Sequence, residues 1–426
     1  MLALLSAGLL GVAAAFALSG STSPAPHRTL PTPRHRNIAA APPPPPAFTF
    51  DALDPRLRPA LRRLGHSTPF EAQRLAWRPL RAGEDALLLS EAGSGKTLAY
   101  LLPLLDAMLS LPDESSGHLL VAVPTQDLAA QVEALARALC AGTPLRVSLA
   151  SSRQPSNVAV GTLPAAAAWL RATVRSRRGG SLRVVVDEAD VCLAGTPRKA
   201  GKAVSGDAGI AQLLAAAGGS AGGGERRTQL VLVSATLPAQ GSGSVGAYVQ
   251  RRFPRMRWLR TEGAHRPVGT LAAEFVAVDR GVAGEREAAL IERLASRDGR
   301  ALVFANSASG AVRAAKILRG ANLECGLFTP QMSLEERSYA LNALRKDKKG
   351  VLVCSGLASR GIDFDVDLVI QYDLAPNIVE YMHRVGRTAR GGHEGRAVSF
   401  VCKGVAREEA LQKEVERCVR GSWKFL

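Results

Sequence analysis

From residue 84 onward, short aliphatic and β-branched runs recur, and stretches of helical length fill the intervals between them. The first set lies at residues 86–89, 119–123, 147–150, 158–160, 182–186 and 230–233. The second lies at 275–278, 301–304, 325–328, 350–354, 368–372 and 397–401. Runs that are apolar throughout, without alternation, predict strands buried on both faces, and helices between them predict parallel sheets covered on each side. Residues 285–296 and 333–345 are two such helical stretches. A polar stretch punctuated by Gly and Pro at 261–269 divides the two sets. The expected fold class is α/β, with two similar lobes at 48–262 and 270–426 joined by a linker at 263–269. The glycine-rich segment 218–224 reads as a flexible insertion in the first lobe.

At 426 residues and 46% hydrophobic content the chain can build two substantial cores. Lys and Arg exceed Asp and Glu by 17. That balance favours a polyanionic partner, because basic groups release counterions condensed on phosphates, but it does not identify one. The six cysteines are widely separated and form no Cys-x-x-Cys pair. This excludes a zinc ribbon and a disulfide framework, and it fits a reducing compartment. No acidic residue precedes Asp51, residues 2–18 are almost wholly apolar, and Arg28, Arg34 and Arg36 follow in a segment rich in Ser, Thr, Pro and Ala. Residues 1–47 therefore read as a presequence ending in the proline spacer 42–46, removed in the mature protein, with no stable membrane association afterwards. The apolar run followed by an acid-poor stretch resembles the bipartite presequences of complex plastids. A simple signal or a mitochondrial presequence is the alternative.

Two segments carry chemistry. Gly93-Ser94-Gly95-Lys96-Thr97 follows an apolar strand and opens the helical residues 98–105. Small residues let such a loop wrap so that backbone N–H groups meet phosphate oxygens at a helix N-terminus. Lys96 can neutralise phosphate charge, and the Thr97 hydroxyl can ligate Mg²⁺. Ser90 stands where the strict pattern has Gly. Asp187-Glu188-Ala189-Asp190 ends the run at 182–186, and a carboxylate there faces the phosphate crevice of an α/β sheet. Asp187 can hold Mg²⁺, and Glu188 can polarise an attacking water. Taken alone, the acidic tetrad reads as solvated surface; the loop at Lys96 gives it a partner.

These segments are joined by Ser234-Ala235-Thr236, Arg360-Gly361-Ile362-Asp363 and His383-Arg384-Val385-Gly386-Arg387-Thr388-Ala389-Arg390. In order and spacing the set resembles the DEAD-box helicases over about residues 48–402. The resemblance implies two tandem RecA-like domains and ATP and Mg²⁺ as cofactors. It also implies RNA-stimulated ATP hydrolysis coupled to local duplex opening or remodelling. Gln73, in a segment similar to the family's Gln motif, is expected to read adenine, with Phe50 (or Phe48) stacking on the base; Phe70 replaces the usual Thr or Ser. Asp363 matches the ribose contact, and Arg387 and Arg390 match the arginine fingers that complete the site when the lobes close. Asp190, Ser234, Thr236 and His383 match the residues that couple the ATP state to RNA grip.

The RNA-facing positions depart further from the family. Gln126 and Asp127 replace Arg and Glu, Ser151-Ser152 replaces Gly-Gly, Ala165 replaces Arg, and Ser355-Gly356 replaces Thr-Asp. Thr125, Thr162, Arg337 and Arg360 remain as phosphate or sugar contacts, and Phe304 matches an aromatic of the second lobe. Contacts of this kind read backbone and 2′-hydroxyls, so little sequence preference is expected. Each lost Arg removes a phosphate contact. The alternative expectation is an ATP-controlled RNA clamp or scaffold with weak unwinding. The protein is expected to act as a monomer on RNA.

Overall fold

The computed structural model describes residues 48–91, 93–111, 117–152, 154–175, 181–194, 213, 228–236, 245–263, 270–279, 282, 284–356, 365–389 and 393–419. The presequence, the glycine-rich segment 218–224, most of the 263–269 linker, and Arg360, Asp363 and Arg390 lie outside the described residues.

Among the described residues the chain forms two parallel sheets, each flanked by helices. The first contains β1 (Ala86–Leu89), β2 (His118–Val123), β3 (Val147–Leu149), β4 (Val158–Thr162), β5 (Leu182–Val186), β6 (Thr228–Ser234) and β7 (Arg257–Arg260), in the order β3-β4-β2-β5-β6-β1-β7. Its helices are α1 (Arg58–Arg63), α2 (Glu71–Arg81), α3 (Lys96–Leu109), α4 (Gln126–Cys140), α5 (Leu163–Arg175), α6 (Ala189–Ala194) and α7 (Val245–Arg252). The second contains β8 (Leu271–Val278), β9 (Ala301–Ala305), β10 (Gly326–Phe328), β11 (Val351–Ser355), β12 (Leu368–Gln371) and β13 (Gly395–Cys402), in the order β10-β11-β9-β12-β13-β8. With it come α8 (Glu285–Ala295), α9 (Ala308–Gly320), α10 (Leu334–Lys346), α11 (Ile378–Val385) and α12 (Ala406–Val419).

Burial explains the continuous apolar runs. Successive strand residues point to opposite faces, and each face here has its own core. Leu88 packs beneath α2 and α3 with Leu80, Leu101 and Leu105, while Leu87 and Leu89 join the opposite core with Leu170 and Val249. The second sheet divides likewise, Leu302 and Phe304 on one face, Val303 and Ala305 on the other. Two edge strands depart from the sequence reading: β8 buries only Val278 of its eight residues, and β7 (Arg-Trp-Leu-Arg), pairing only with β1 among the described strands, buries only Leu259 of its four. The two arginines that flank its apolar pair hide β7 from a search for apolar runs.

The strand order places the chemistry. In the first sheet β5, β6 and β1 are neighbours. The loop after β1, the acidic tetrad after β5 and the Ser-Ala-Thr at the end of β6 therefore converge on one carboxyl edge, where open α/β sheets bind ligands.

Candidate active site

The phosphate loop leaves β1 at Ser90, which is fully buried, and enters α3 at Lys96. Gly93 (φ +77°) and Gly95 (φ +74°) hold left-handed backbone that a side chain would strain. Lys96 Nζ donates to the carbonyls of Ser90 (2.9 Å) and Glu91 (2.7 Å), so the loop folds over its own lysine. Gln73, 2% exposed in α2, accepts from the Phe70 N–H through Oε1 (2.9 Å) and donates through Nε2 to the Gly95 carbonyl (3.3 Å). A Cβ at Gly95 would strike the Gln73 amide and come within 3.0 Å of the Phe70 ring. Phe70 is exposed at this mouth. The two candidate base-stacking rings are both packed in the core: Phe48 stacks on Trp77 (4.2 Å, 18°), and Phe50 sits edge-on to Phe48 (6.0 Å, 80°).

Asp187 lies behind Lys96 at the end of β5. Its Oδ2 accepts from the Tyr100 hydroxyl (3.0 Å) and its Oδ1 from the Glu188 N–H (2.8 Å). Burial, then the neighbouring Glu188 charge, raises its pKa to about 6, opposed by these hydrogen bonds and by Lys96. The Tyr100 phenol, buried against this carboxylate, is pushed well above its ordinary value. Glu188 occupies the left-handed region (φ +48°), costly for a residue with a side chain, and its buried Oε2 has no hydrogen-bond partner among the described residues. Two adjacent carboxylates, one unsatisfied and one raised by burial, call for a cation. No group of three or more metal-ligating side chains occurs among the described residues, so a metal here would take most of its ligands from phosphate and water. That chemistry fits nucleotide-bound Mg²⁺ with Asp187 and the Thr97 hydroxyl as protein ligands.

The coupling residues meet across the two lobes. Asp190 Oδ2 accepts from Thr236 Oγ1 (2.6 Å) and lies 2.9 Å from Nε2 of His383, carried by α11 of the second lobe. Ser234 Oγ donates to the Thr236 carbonyl (2.6 Å), holding that turn closed. Burial alone would raise the Asp190 pKa, but His383, Thr236 and Ser234 outweigh it and hold the carboxyl at about 2. All four residues singled out for coupling thus form one buried cluster.

The residues expected from the sequence to face RNA are placed as follows. The Thr125 hydroxyl caps α4 by accepting from the Leu128 N–H (3.3 Å), and Thr162 is half-buried at the end of β4. Arg337, on α10, pairs with Asp127 of the first lobe at 2.6 Å, both largely buried, with its guanidinium 5.8 Å from the Phe328 ring centroid. Arg387 is buried in the turn after α11, where its N–H bonds the Arg384 carbonyl (3.1 Å) and its carbonyl accepts from Val366 (3.1 Å).

Sequence reasoning missed three participants. Tyr100 is one helical turn beyond Thr97, a spacing that aims it at the same strand ends. The Asp127 partner of Arg337 is 210 positions away and had no local signal. Arg384, 1% exposed, binds Glu380 (3.3 Å), the Asp373 carbonyl (2.9 Å) and Asn306 (2.7 Å) and lies over Phe304 (5.5 Å). Its i,i+4 spacing from Glu380 was the available clue.

Comparison with known proteins follows the same division. The family described as DEAD/DEAH box helicase matches residues 70–242, and the helicase conserved C-terminal domain matches residues 285–392. An ATP-dependent rRNA helicase, rrp3 of Sclerotinia sclerotiorum, is 31% identical over 353 residues, covering 79% of this chain and 68% of that protein. The probable ATP-dependent RNA helicase DDX28 of Homo sapiens is 30% identical over 380 residues, covering 82% and 69%. The chain spans 61% of a further relative, rrp3 of Phaeosphaeria nodorum, so that relative is appreciably longer. Among solved structures, S. cerevisiae Dbp5 bound to RNA and ADP BeF3 aligns with a TM-score of 0.70 at 21% identity, over 88% of this chain and 94% of that one. The DEAD-box helicase Mss116 bound to ssRNA and UDP-BeF aligns at 0.69 and 19% identity, over 90% and 84%. At these identities the two structures speak to the fold, which is the tandem RecA-like arrangement.

Proposed function

Because the chain belongs to the DEAD-box family of ATP-dependent RNA helicases, we propose that it hydrolyses ATP in response to RNA and couples the cycle to local duplex opening or ribonucleoprotein remodelling. The observation that carries this reading is the buried cluster of Asp190, Thr236 and His383. It ties the acidic tetrad beside the nucleotide loop to a helix of the second lobe. Lys96, Asp187 and Glu188 would act on the phosphates, the first by neutralising charge and Glu188 by orienting the attacking water. Bound Mg²⁺ would supply charge neutralisation at the phosphate oxygens, held by Asp187 and Thr97. Gln73 and the P-loop residues Gly93, Ser94 and Gly95 would hold the nucleotide, with Phe50 and Asp363 at base and ribose. Arg387 and Arg390 would stabilise the transferring phosphoryl group once the lobes close. Thr125, Thr162, Arg337 and Arg360 would grip RNA through its backbone.

The test is phosphate release with and without single-stranded RNA, DNA serving as competitor. RNA should stimulate turnover, and Lys96→Ala and Glu188→Gln should each abolish the stimulated rate. Unchanged release in either variant refutes the assignment. The clamp alternative is supported by Gln126 and Ala165, which stand where the family has Arg. Strand separation on a short duplex decides between the two, since hydrolysis without separation favours the clamp.

The N-terminal segment supports plastid targeting through a bipartite presequence. Residues 1–47 fused to a fluorescent protein should direct it to a complex plastid. Secretion or mitochondrial import of the fusion would refute that destination. No helix among the described residues is long and apolar enough to cross a membrane.

A further inference from the structure

The chain crosses from the first sheet to the second between Arg260, the last residue of β7, and Leu271, the first of β8. The start of that crossing is fastened to the phosphate loop by side chains the nucleotide reading leaves unused. Thr261, 2% exposed, donates from Oγ1 to Glu91 Oε2 (2.8 Å) and lies 3.1 Å from Ser90 Oγ, which itself donates to the same carboxylate oxygen (3.3 Å). The Thr261 N–H bonds the Leu89 carbonyl (3.1 Å). Gly263 packs so close that a Cβ there would lie 2.8 Å from the Glu91 carboxylate. The Glu262 N–H donates to Glu71 Oε1 (3.3 Å), at the start of the helix that bears Gln73.

We propose that Glu91 is a positioning residue: its carboxylate, gripped by Ser90 and Thr261, transmits occupancy of the phosphate loop to the start of the inter-lobe crossing. The proposal rests on the nucleotide reading of that loop. Its physical basis is a shared element with two arrangements. Here the Glu91 carbonyl accepts from Lys96 Nζ (2.7 Å). A nucleotide whose phosphates take the lysine removes that bond, so the backbone at Glu91 must re-form its contacts. The Glu91 side chain, from the same residue, carries that adjustment to Thr261 and Gly263. Because the carboxylate is held by hydroxyl donors, loss of one donor loosens the link without touching the phosphate-facing groups. Ser90 belongs to the device: its hydroxyl, at a position where the strict loop pattern has Gly, supplies the second donor.

The test uses the full chain with a non-hydrolysable ATP analogue and reads backbone amide exchange at residues 261–263. In the wild type the analogue should change that exchange. In Thr261→Val the response should shrink by about tenfold, the scale of one hydrogen bond to a charged group, while analogue affinity stays within about twofold of wild type by the same argument that no phosphate contact is altered. Glu91→Ala should lose the response as well, whereas Glu91→Gln, which keeps an acceptor for Thr261, should retain it. In steady state, Thr261→Val should raise the RNA concentration giving half-maximal turnover and leave the maximal rate unchanged. Exchange at 261–263 that ignores the analogue in the wild type overturns the proposal, as does Thr261→Val responding like wild type or Glu91→Gln failing to rescue. A wild type whose amides respond but whose turnover ignores RNA supports the link and sinks the RNA-stimulated reading instead, so the two failures are distinguishable.

Discussion

Replacing His383 by Ala should uncouple the two ligands while leaving each lobe folded. The imidazole is nearly buried, with its side chain 6% exposed, and meets an Asp190 side chain that is 1% exposed at 2.9 Å. Asp190 is held at about 2 against an ordinary 3.8, and His383 contributes most to that depression once burial is overcome. Its carboxyl is therefore ionised at any working pH. The stability this depression contributes is fully present above about pH 4 and is lost as pH falls through 2. A buried hydrogen bond to a charged group is worth about 1.5–3 kcal/mol, equivalent to roughly 10- to 150-fold in an equilibrium constant. The contact joins lobes with separate cores, so its loss should fall on the closed arrangement that binds ATP and RNA together. The assay is the ratio of ATP dissociation constants without and with saturating RNA, a coupling that must be reciprocal. His383→Ala should reduce that ratio roughly 10- to 150-fold, with ATP affinity in the absence of RNA little changed. Asp190→Asn should do the same, and the double variant should be no worse than either single one, because both remove one interaction. A coupling ratio within twofold of wild type in a folded His383→Ala protein would refute the reasoning.

Two further predictions follow from the sites where the chain departs from its family. Phe70 begins α2 without a side-chain acceptor, although Gln73 already bonds its N–H (2.9 Å). Phe70→Thr should complete the reciprocal cap and stabilise the first lobe by about 0.5–2 kcal/mol in chemical denaturation; a neutral or destabilising result would show that the ring's contact with the loop matters more. Arg337→Ala should flatten the salt dependence of RNA binding by about 0.7 in log–log slope, the signature of one lost phosphate contact on a single strand. Asp127→Asn should leave the slope intact and tighten binding, because it frees the guanidinium; equal slopes in wild type and Arg337→Ala would confine Arg337 to a bridge between lobes.

The fold was legible because parallel strands sheltered on both faces are largely apolar, and twelve largely apolar runs stand in the sequence. Strand β7 was hidden because edge position lets two arginines flank the short apolar pair Trp258 and Leu259. Within the site, the groups expected to meet phosphate stood out in the sequence because their chemistry demands contiguous residue types: small residues around Lys96, and carboxylates at a strand end. What could not be read was pairing at a distance. Nothing local in Asp127 indicates Arg337, and nothing in Thr261 indicates Glu91, since both pairs depend on how elements pack. Phe48 and Phe50 were singled out by resemblance alone; that Phe48 stacks on Trp77 and that both rings are buried in the core are properties of the folded neighbourhood.

The departures at RNA-facing positions are not equivalent losses, because some sit against partners that constrain them. Asp127 is one methylene shorter than the Glu it replaces and still reaches Arg337 at 2.6 Å, so the link between lobes survives the change. Gly356 stands where the family has Asp, and a Cβ there would lie 2.7 Å from Arg384 Nη2 and 3.0 Å from Glu380 Oε1. Arg384, which the chain shares with its family, is buried there and ties Asn306, the Asp373 carbonyl and Glu380 into one network. A charge buried that deeply is tolerable only when its donors are satisfied, and these three partners satisfy them. Gln126 and Ala165, by contrast, have no charged partner among the contacts described and simply carry no cation. The described contacts between the lobes, Asp190–His383 and Asp127–Arg337, are present, while on the family resemblance two cations expected to meet phosphate are not. In such a molecule nucleotide-driven closure would be retained and the electrostatic share of RNA affinity reduced.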